Sequence, residues 1–292
     1  MTTIRAQDKK HLSALVAQHM RSHGPRCSLN HIDVSGITDF SHLFENHSTF
    51  NGDISLWNTG NVQDMRFCFF KSCFGGNISN WDVSSVRHMD EMFSHNTSFF
   101  GDISAWDVGR VESMAGMFAG SKLRSGLANW NVGSVTNMRR MFEDSDFCGD
   151  IAHWDVAHVQ TFERMFEGAR RFNGDVSRWN VSGAMHFGCM FSYAGFNGDI
   201  SQWDFQEGAN LVDMFTSHNL HNVKKENTYH WWLASTNPEL LTPPQREHFA
   251  AWAPVVTGLG LGPIAQARAM QSAWLAQTQG PSLETVAPDL FA

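Results

Sequence analysis

Eight residues of one chemical kind recur along the 292-residue chain: Asp33, Asn58, Asp82, Asp107, Asn131, Asp155, Asn180 and Asp204. They stand 24 or 25 residues apart, and each is a carboxylate or its amide. A column of such side chains has three uses. It can bond neighbouring backbone in Asx turns, attract a basic partner or hold a hard cation such as calcium. Three of the eight are amides, which counts against calcium. His153, His158 and Arg178 occupy flanking slots that vary from copy to copy, where specificity could be written.

Other residues offer less. Cys68 and Cys73 lack the second pair that a zinc site needs. The Gly-rich stretch at 258–262 follows no strand-like run and has no phosphate-binding Lys. His218, His221 and His230 are the nearest approach to a metal site, at the edge of the periodic region. No His-Glu-x-x-His or Gly-x-Ser-x-Gly occurs. No cofactor, metal or catalysis is expected. A site in 219–292 around His221, His230 and the Trp231–Trp232 pair is the enzymatic alternative.

What positions the acidic column is a repeat. Seven of the 11 Trp fall at 57, 81, 106, 130, 154, 179 and 203, and Ile32 fills the same slot in a degenerate first copy. A fixed period of this size denotes stacked repeats. With Trp as position 0, the acidic column is +1. Position −7 is mostly Phe, −3 is mostly Ile, and +2 and +5 are mostly Val. Positions +8, +11 and +12 carry Met, Met and Phe, and a Gly-Asp or Gly-Asn pair recurs at −5 and −4. The spacing at −3, 0 and +2 predicts a short strand, and +5, +8, +11 and +12 predict one face of a short helix. The Gly-Asp step is turn chemistry. A single copy cannot bury its own aromatics, so copies must stack. The Trp and Met columns read as core, worth roughly 1.5–3 kcal/mol per large side chain. A sugar-binding or base-stacking ladder is the sharper alternative for the Trp.

Residues 172–191, FNGDVSRWNVSGAMHFGCMF, and 99–118, FFGDISAWDVGRVESMAGMF, resemble the unit of the BspA-like leucine-rich-repeat family. The lead-in LNHIDVSGITDFSHLF at 29–44 resembles its usual first unit. The resemblance implies a curved solenoid that binds rather than catalyses, and relatives that are surface proteins or adhesins. The expected fold is therefore an α/β leucine-rich-repeat-like solenoid, with short parallel strands on one face, short helices on the other and helical caps at both ends. Residues 1–28 are expected as an N-terminal capping helix, 29–218 as eight coils and 219–292 as a mostly helical C-terminal cap holding the remaining four Trp. The capping segment includes Ile4, Leu12, Leu15, Val16 and Met20 near helical spacing. A separate docking domain is the alternative for 219–292.

Charge is sorted. Residues 32–218 hold 12 Arg and Lys against 23 Asp and Glu, a net of −11, while residues 1–31 are basic. The overall charge of −8 argues against nucleic acid, and no run of 18 apolar residues spans a membrane. Five Cys at irregular spacing suit free buried thiols. No apolar stretch follows the opening basic residues, so a cytoplasmic place is expected, with export by an uncleaved route as the alternative.

The function expected is a non-enzymatic module, monomeric when free, that holds a basic protein partner on its concave acidic face, such as an intracellular inhibitor or immunity-type protein. The residues expected to touch the partner are Asp82, Asp107, Asn131, Asp155, Asn180, Asp204, His153, His158 and Arg178. An exported adhesin or effector is the alternative.

Overall fold

The computed structural model describes residues 3–124, 126–196, 198, 200, 203–206 and 209–214. The chain divides into two compact units, Met1–Phe196 with Asp204–Ser217, and Asn197–Trp203 with His218–Ala292. The cap expected over 219–292 and the His218, His221 and His230 group lie outside the described residues. Within the second unit, Trp203 is buried and its N–H bonds the Ile200 carbonyl at 3.0 Å.

The first unit begins with strand β1, Ile4–Arg5, and helix α1, Lys9–His23. Ile4 is therefore not on the helix. The Asp8 side chain accepts the His11 N–H at 2.7 Å and sets the helix start. Gly24, at φ 82, ends it by donating to the Met20 carbonyl. Leu12, Leu15 and Val16 are the buried face. β1 pairs in parallel with β2, Ile32–Asp33, with Ile4 opposite Ile32 and Arg5 opposite Asp33. Lys9 ties the helix to the first copy through Asp39, at 3.0 Å, and Ser41.

Successive copies lie in parallel register, but the ladder is not where the sequence expects it. The bridges run Asp39, Asp64, His88, Ser113, Asn137, Thr161, His186 and Asn210, which is position +7. From there each copy donates every second N–H to the next. Met65 bonds His88, Phe67 bonds Asp90, Phe69 bonds Met92 and Lys71 bonds Ser94, all at 2.9 Å. The intervening N–H groups close three-residue turns within the copy, as from Cys68 to Met65 and from Phe70 to Phe67, both at 3.1 Å.

This stretch is a chain of turns, and α1 is the single helix among the described residues. An α-helix would spend the same N–H groups inside one copy, whereas here half of them join neighbours. The backbone conforms by entering the left-handed region at +10 and +14. Phe67 and Lys71 have φ of 57 and 50, Arg140 and Asp144 have 58 and 51, and Gly116 and Gly120 have 61 and 63.

At −3 to +2 the Leu29 N–H bonds the Asp53 carbonyl at 2.8 Å between the first two copies; among the other described copies the tryptophans join this stretch. Each indole N–H reaches the position −3 carbonyl of the copy before it. Trp57 bonds Leu29 at 3.0 Å, Trp81 bonds Ile54 at 3.1 Å, and Trp106 bonds Ile78 at 3.2 Å. Trp130, Trp154 and Trp179 repeat the contact with Ile103, Leu127 and Ile151. This explains why the slot takes Trp and not Phe: a benzene ring has no donor for the buried carbonyl. The slot filled by Ile32 has no indole, and there β1 supplies a true strand pair.

The core is a set of ring columns. Phe44 stacks on Phe69 with centroids 5.4 Å apart, and Phe93 on Phe118 at 5.8 Å. Trp57 and Trp81 stack at 6.3 Å and 6°. The Met at +8 and +11 are buried beside them. Asn96 is a fully enclosed polar side chain. It donates to Ser72 and the Phe74 carbonyl, and accepts from Ser98 and Phe99, so all its capacity is used.

Candidate functional site

The short turn closed by the Trp N–H and the −3 carbonyl separates two outward columns. The +1 column was singled out from the sequence. Asn58, Asp82, Asp107, Asn131, Asp155, Asn180 and Asp204 are exposed, and Asp33 is half-buried. One oxygen of each member from Asp33 to Asn180 is committed locally to an N–H two residues on. Asp82 accepts Ser84 at 3.0 Å, Asp107 accepts Gly109 at 3.0 Å, Asn131 accepts Gly133 at 3.2 Å and Asp155 accepts Ala157 at 3.1 Å. Consecutive members are close neighbours. A Cβ added to Gly109 would lie 3.1 Å from Asp107 Oδ1 and 3.3 Å from Asn131 Nδ2, so the +1 side chain of one copy leans over the backbone of the copy before it.

A second column stands at −4 and was read from sequence only as turn chemistry. Asp53, Asn77, Asp102, Asp150 and Asp175 are all exposed. Each accepts an N–H two residues on, as Asp102 does from Ser104 at 3.0 Å and Asp150 from Ala152 at 2.9 Å. The signal was present in the recurrent Gly-Asp step. Its alignment with the +1 column on the outward surface was not, because that depends on the turn between them.

The serines that follow shift the acids. The Ser84 hydroxyl and N–H hold the Asp82 carboxyl below its ordinary range, and Ser35 does the same to Asp33. The N–H and hydroxyl of Ser55 act alike on Asp53, and those of Ser177 on Asp175. Asp33, Asp53, Asp82 and Asp175 are thereby held in the ionised form in neutral solution.

Many of the arginines are paired with acids at other positions. Arg66 pairs with Asp64 at 2.5 Å, Arg87 with Glu112 at 2.5 Å and Arg139 with Glu163 at 3.3 Å. On the ladder side Arg140 meets Glu143 at 2.5 Å and Glu91 at 3.7 Å, and Arg164 meets Glu167 at 3.1 Å. Burial raises the Glu167 carboxyl above its ordinary value despite Arg164. Among the described residues, no ion pair involves Asp82, Asp102, Asp107, Asp150, Asp155 or Asp175. His153, His158 and Arg178 are exposed in their flanking slots, as the sequence expects.

The chain matches a family described as Mycoplasma protein of unknown function, DUF285, over residues 16–127 and 121–229. It belongs to that family. The two tandem matches cover the eight copies that the DUF285 chain shows at a 24–25-residue period. No curated protein and no solved structure matches it.

No group of three His, Cys, Asp or Glu is arranged to hold a metal ion among the described residues. The five cysteines are free, but only Cys68 is buried; Cys73 and Cys148 are exposed. Burial pushes the Cys68 thiol far up, which makes it inert. No described helix is long and apolar enough to cross a membrane.

Proposed function

We propose that the repeats form a BspA-like solenoid that binds a basic protein partner on the face carrying the +1 and −4 columns. The reading rests on one observation: the exposed carboxylates Asp82, Asp102, Asp107, Asp150 and Asp155 form no ion pair among the described residues, while arginines of the same repeats are paired with other acids. Unpaired acid in two columns sets up a field that steers a positive surface and fades with salt. The Asx turns hold the carboxylates in place, so little side-chain entropy remains to be lost on binding. The bond to the backbone and the attraction to a partner are compatible, since each uses a different oxygen. An intracellular inhibitor or immunity-type protein masking a basic toxin or nuclease is the concrete form. The chain acts by binding and not by catalysis, as a cytoplasmic monomer until the partner arrives.

The test is to purify the tagged chain from its native cell, identify the bound protein and measure its affinity against salt. Replacing Asp107, Asp155 and Asp204 with Asn keeps the Asx acceptor and removes three charges. The triple variant is expected to weaken binding at least tenfold at low salt and to flatten the salt dependence. Unchanged affinity would sink the acidic-face reading. A second reading, an exported adhesin or effector, draws on the likeness of the repeat unit to BspA-like surface proteins. Cleavage of the chain by protease added to intact cells would favour it.

A further inference from the structure

The −4 column has one break. Gly126 stands in the slot held by Asp102 in the copy before and Asp150 in the copy after. At the break the surface opens into a cavity of about 460 Å³, bounded by Phe100, Asp102, Ile103, Leu123, Arg124 and Gly126. Its floor is apolar, since Ile103 and Leu123 are 1% and 5% exposed. The Phe100 side chain stands at the rim, 63% exposed, in a slot that holds Asn51 and Asn173 in other copies. A large aromatic left in water beside an apolar cavity is the mark of an anchor site.

The charges around the cavity define its occupant. Asp102 and Asp150 each keep an oxygen unbonded by their Asx turns. They stand two copies apart, about 10 Å at a strand-like spacing of about 4.8 Å. Arg124 lines the same cavity, 4.0 Å from Asp146. Its guanidinium repels a cation at the centre and leaves that place to an uncharged group.

We propose that this break docks a segment of the protein partner in which an apolar side chain lies between two cationic ones. The apolar side chain enters the Phe100 cavity, and the cations reach Asp102 and Asp150. The proposal rests on the acidic-face reading and narrows it to a place and a pattern. An α-helix presents such a triad at i, i+3 or i+4, and i+7, spanning about 10.5 Å.

The test uses two labelled helical peptides of equal composition and the full chain. One carries Lys, Leu and Lys at i, i+4 and i+7, and the other has the Leu moved to the opposite face. Anisotropy titration is expected to show the first binding at least tenfold more tightly. Phe100→Asn, which installs the residue the same slot holds at positions 51 and 173, should erase that difference. Asp102→Asn with Asp150→Asn should weaken both peptides. Equal binding of the two peptides, or a preference that survives Phe100→Asn, overturns the docking site and leaves the acidic face standing. If neither peptide binds, both readings fall.

Discussion

Two faces of the same repeats handle charge in opposite ways. On the ladder side, at +9, +10 and +13, acids and arginines interlock across copies. Glu91 lies over Gly116 to approach Arg140 two copies on, at 3.7 Å. At −4 and +1 the acids bond chiefly their own turns, although Asp53 also accepts Asn30 of the copy before at 2.7 Å. The ladder side also holds inter-copy backbone bonds at alternate residues, whereas the −3 to +2 stretch is joined by indole N–H groups. One side holds the stack together through its backbone. The other relies on the buried Trp beneath it and leaves its charge available.

That contrast is open to attack, beginning with the tryptophans. Trp106→Ala should cost about 3–5 kcal/mol by urea denaturation, as large core truncations do. Trp106→Phe keeps most of the apolar volume but orphans the Ile78 carbonyl, and should still cost about 1–3 kcal/mol. If the Phe variant matches the parent, the indole bond does not join the copies. Next comes Glu143, 9% exposed and bonded to Arg140. Glu143→Gln should cost about 1.5–3 kcal/mol, the scale of a hydrogen bond to a charged group. Asp107→Asn on the opposite face keeps its turn and should stay within about 0.5 kcal/mol of the parent. Equal losses at the two sites would erase the distinction between the faces.

At Gly116 φ is +61 and an added Cβ would meet Glu91 Oε1 at 2.4 Å. Gly116→Ala should lower stability by about 1–3 kcal/mol, while Lys71→Gly, at φ 50 on an exposed side chain, should not. Similar values for both would mean that the left-handed turns are unstrained.

The smallest effect concerns pH at the N-terminal end. His31 Nε2 and His19 Nε2 lie 2.8 Å apart, a contact that holds one proton between them. His19 Nδ1 already donates to the Leu15 carbonyl, and His31 Nδ1 is buried without a partner. Burial, then the charge of His19, lowers the His31 pKa below its ordinary 6.5. The folded state thus favours neutral His31. Its contribution is full above 6.5 and is lost as pH falls through the lower folded value. The protection factors of the α1 amides, corrected for intrinsic exchange, should fall as pH drops below 6.5. The Trp-bonded copies, remote from this pair, should not follow; if they do, the pair is not the cause.

Much of this molecule is legible in its sequence. The Trp period, the buried Ile, Val, Met and Phe columns and the outward +1 column are all there, because stacking identical copies forces each frame position into one environment. The helix expected over +5 to +12 is absent for a definite reason. Spacings of three and four suit a helix and a chain of three-residue turns equally well, and the choice depends on which carbonyl each N–H meets. That partner, for half of the N–H groups from +8 to +14, belongs to the next copy. The strand expected around Trp is replaced in the same way, by an indole bond to the copy before.

What the chain alone determined was therefore the period, the core and the exposure of the acids, all set by side-chain type at fixed intervals. What only the tertiary structure decided was pairing. Arg140 could have faced an acid at −4 or +1 as readily by sequence distance as it faces Glu91 and Glu143. The stacking of copies carried it to the ladder side and left Asp102, Asp107, Asp150 and Asp155 without a cation. Electrostatic partnership is a matter of a few ångströms in space, and residues 24 or 25 apart in the chain acquire that proximity only when the copies stack.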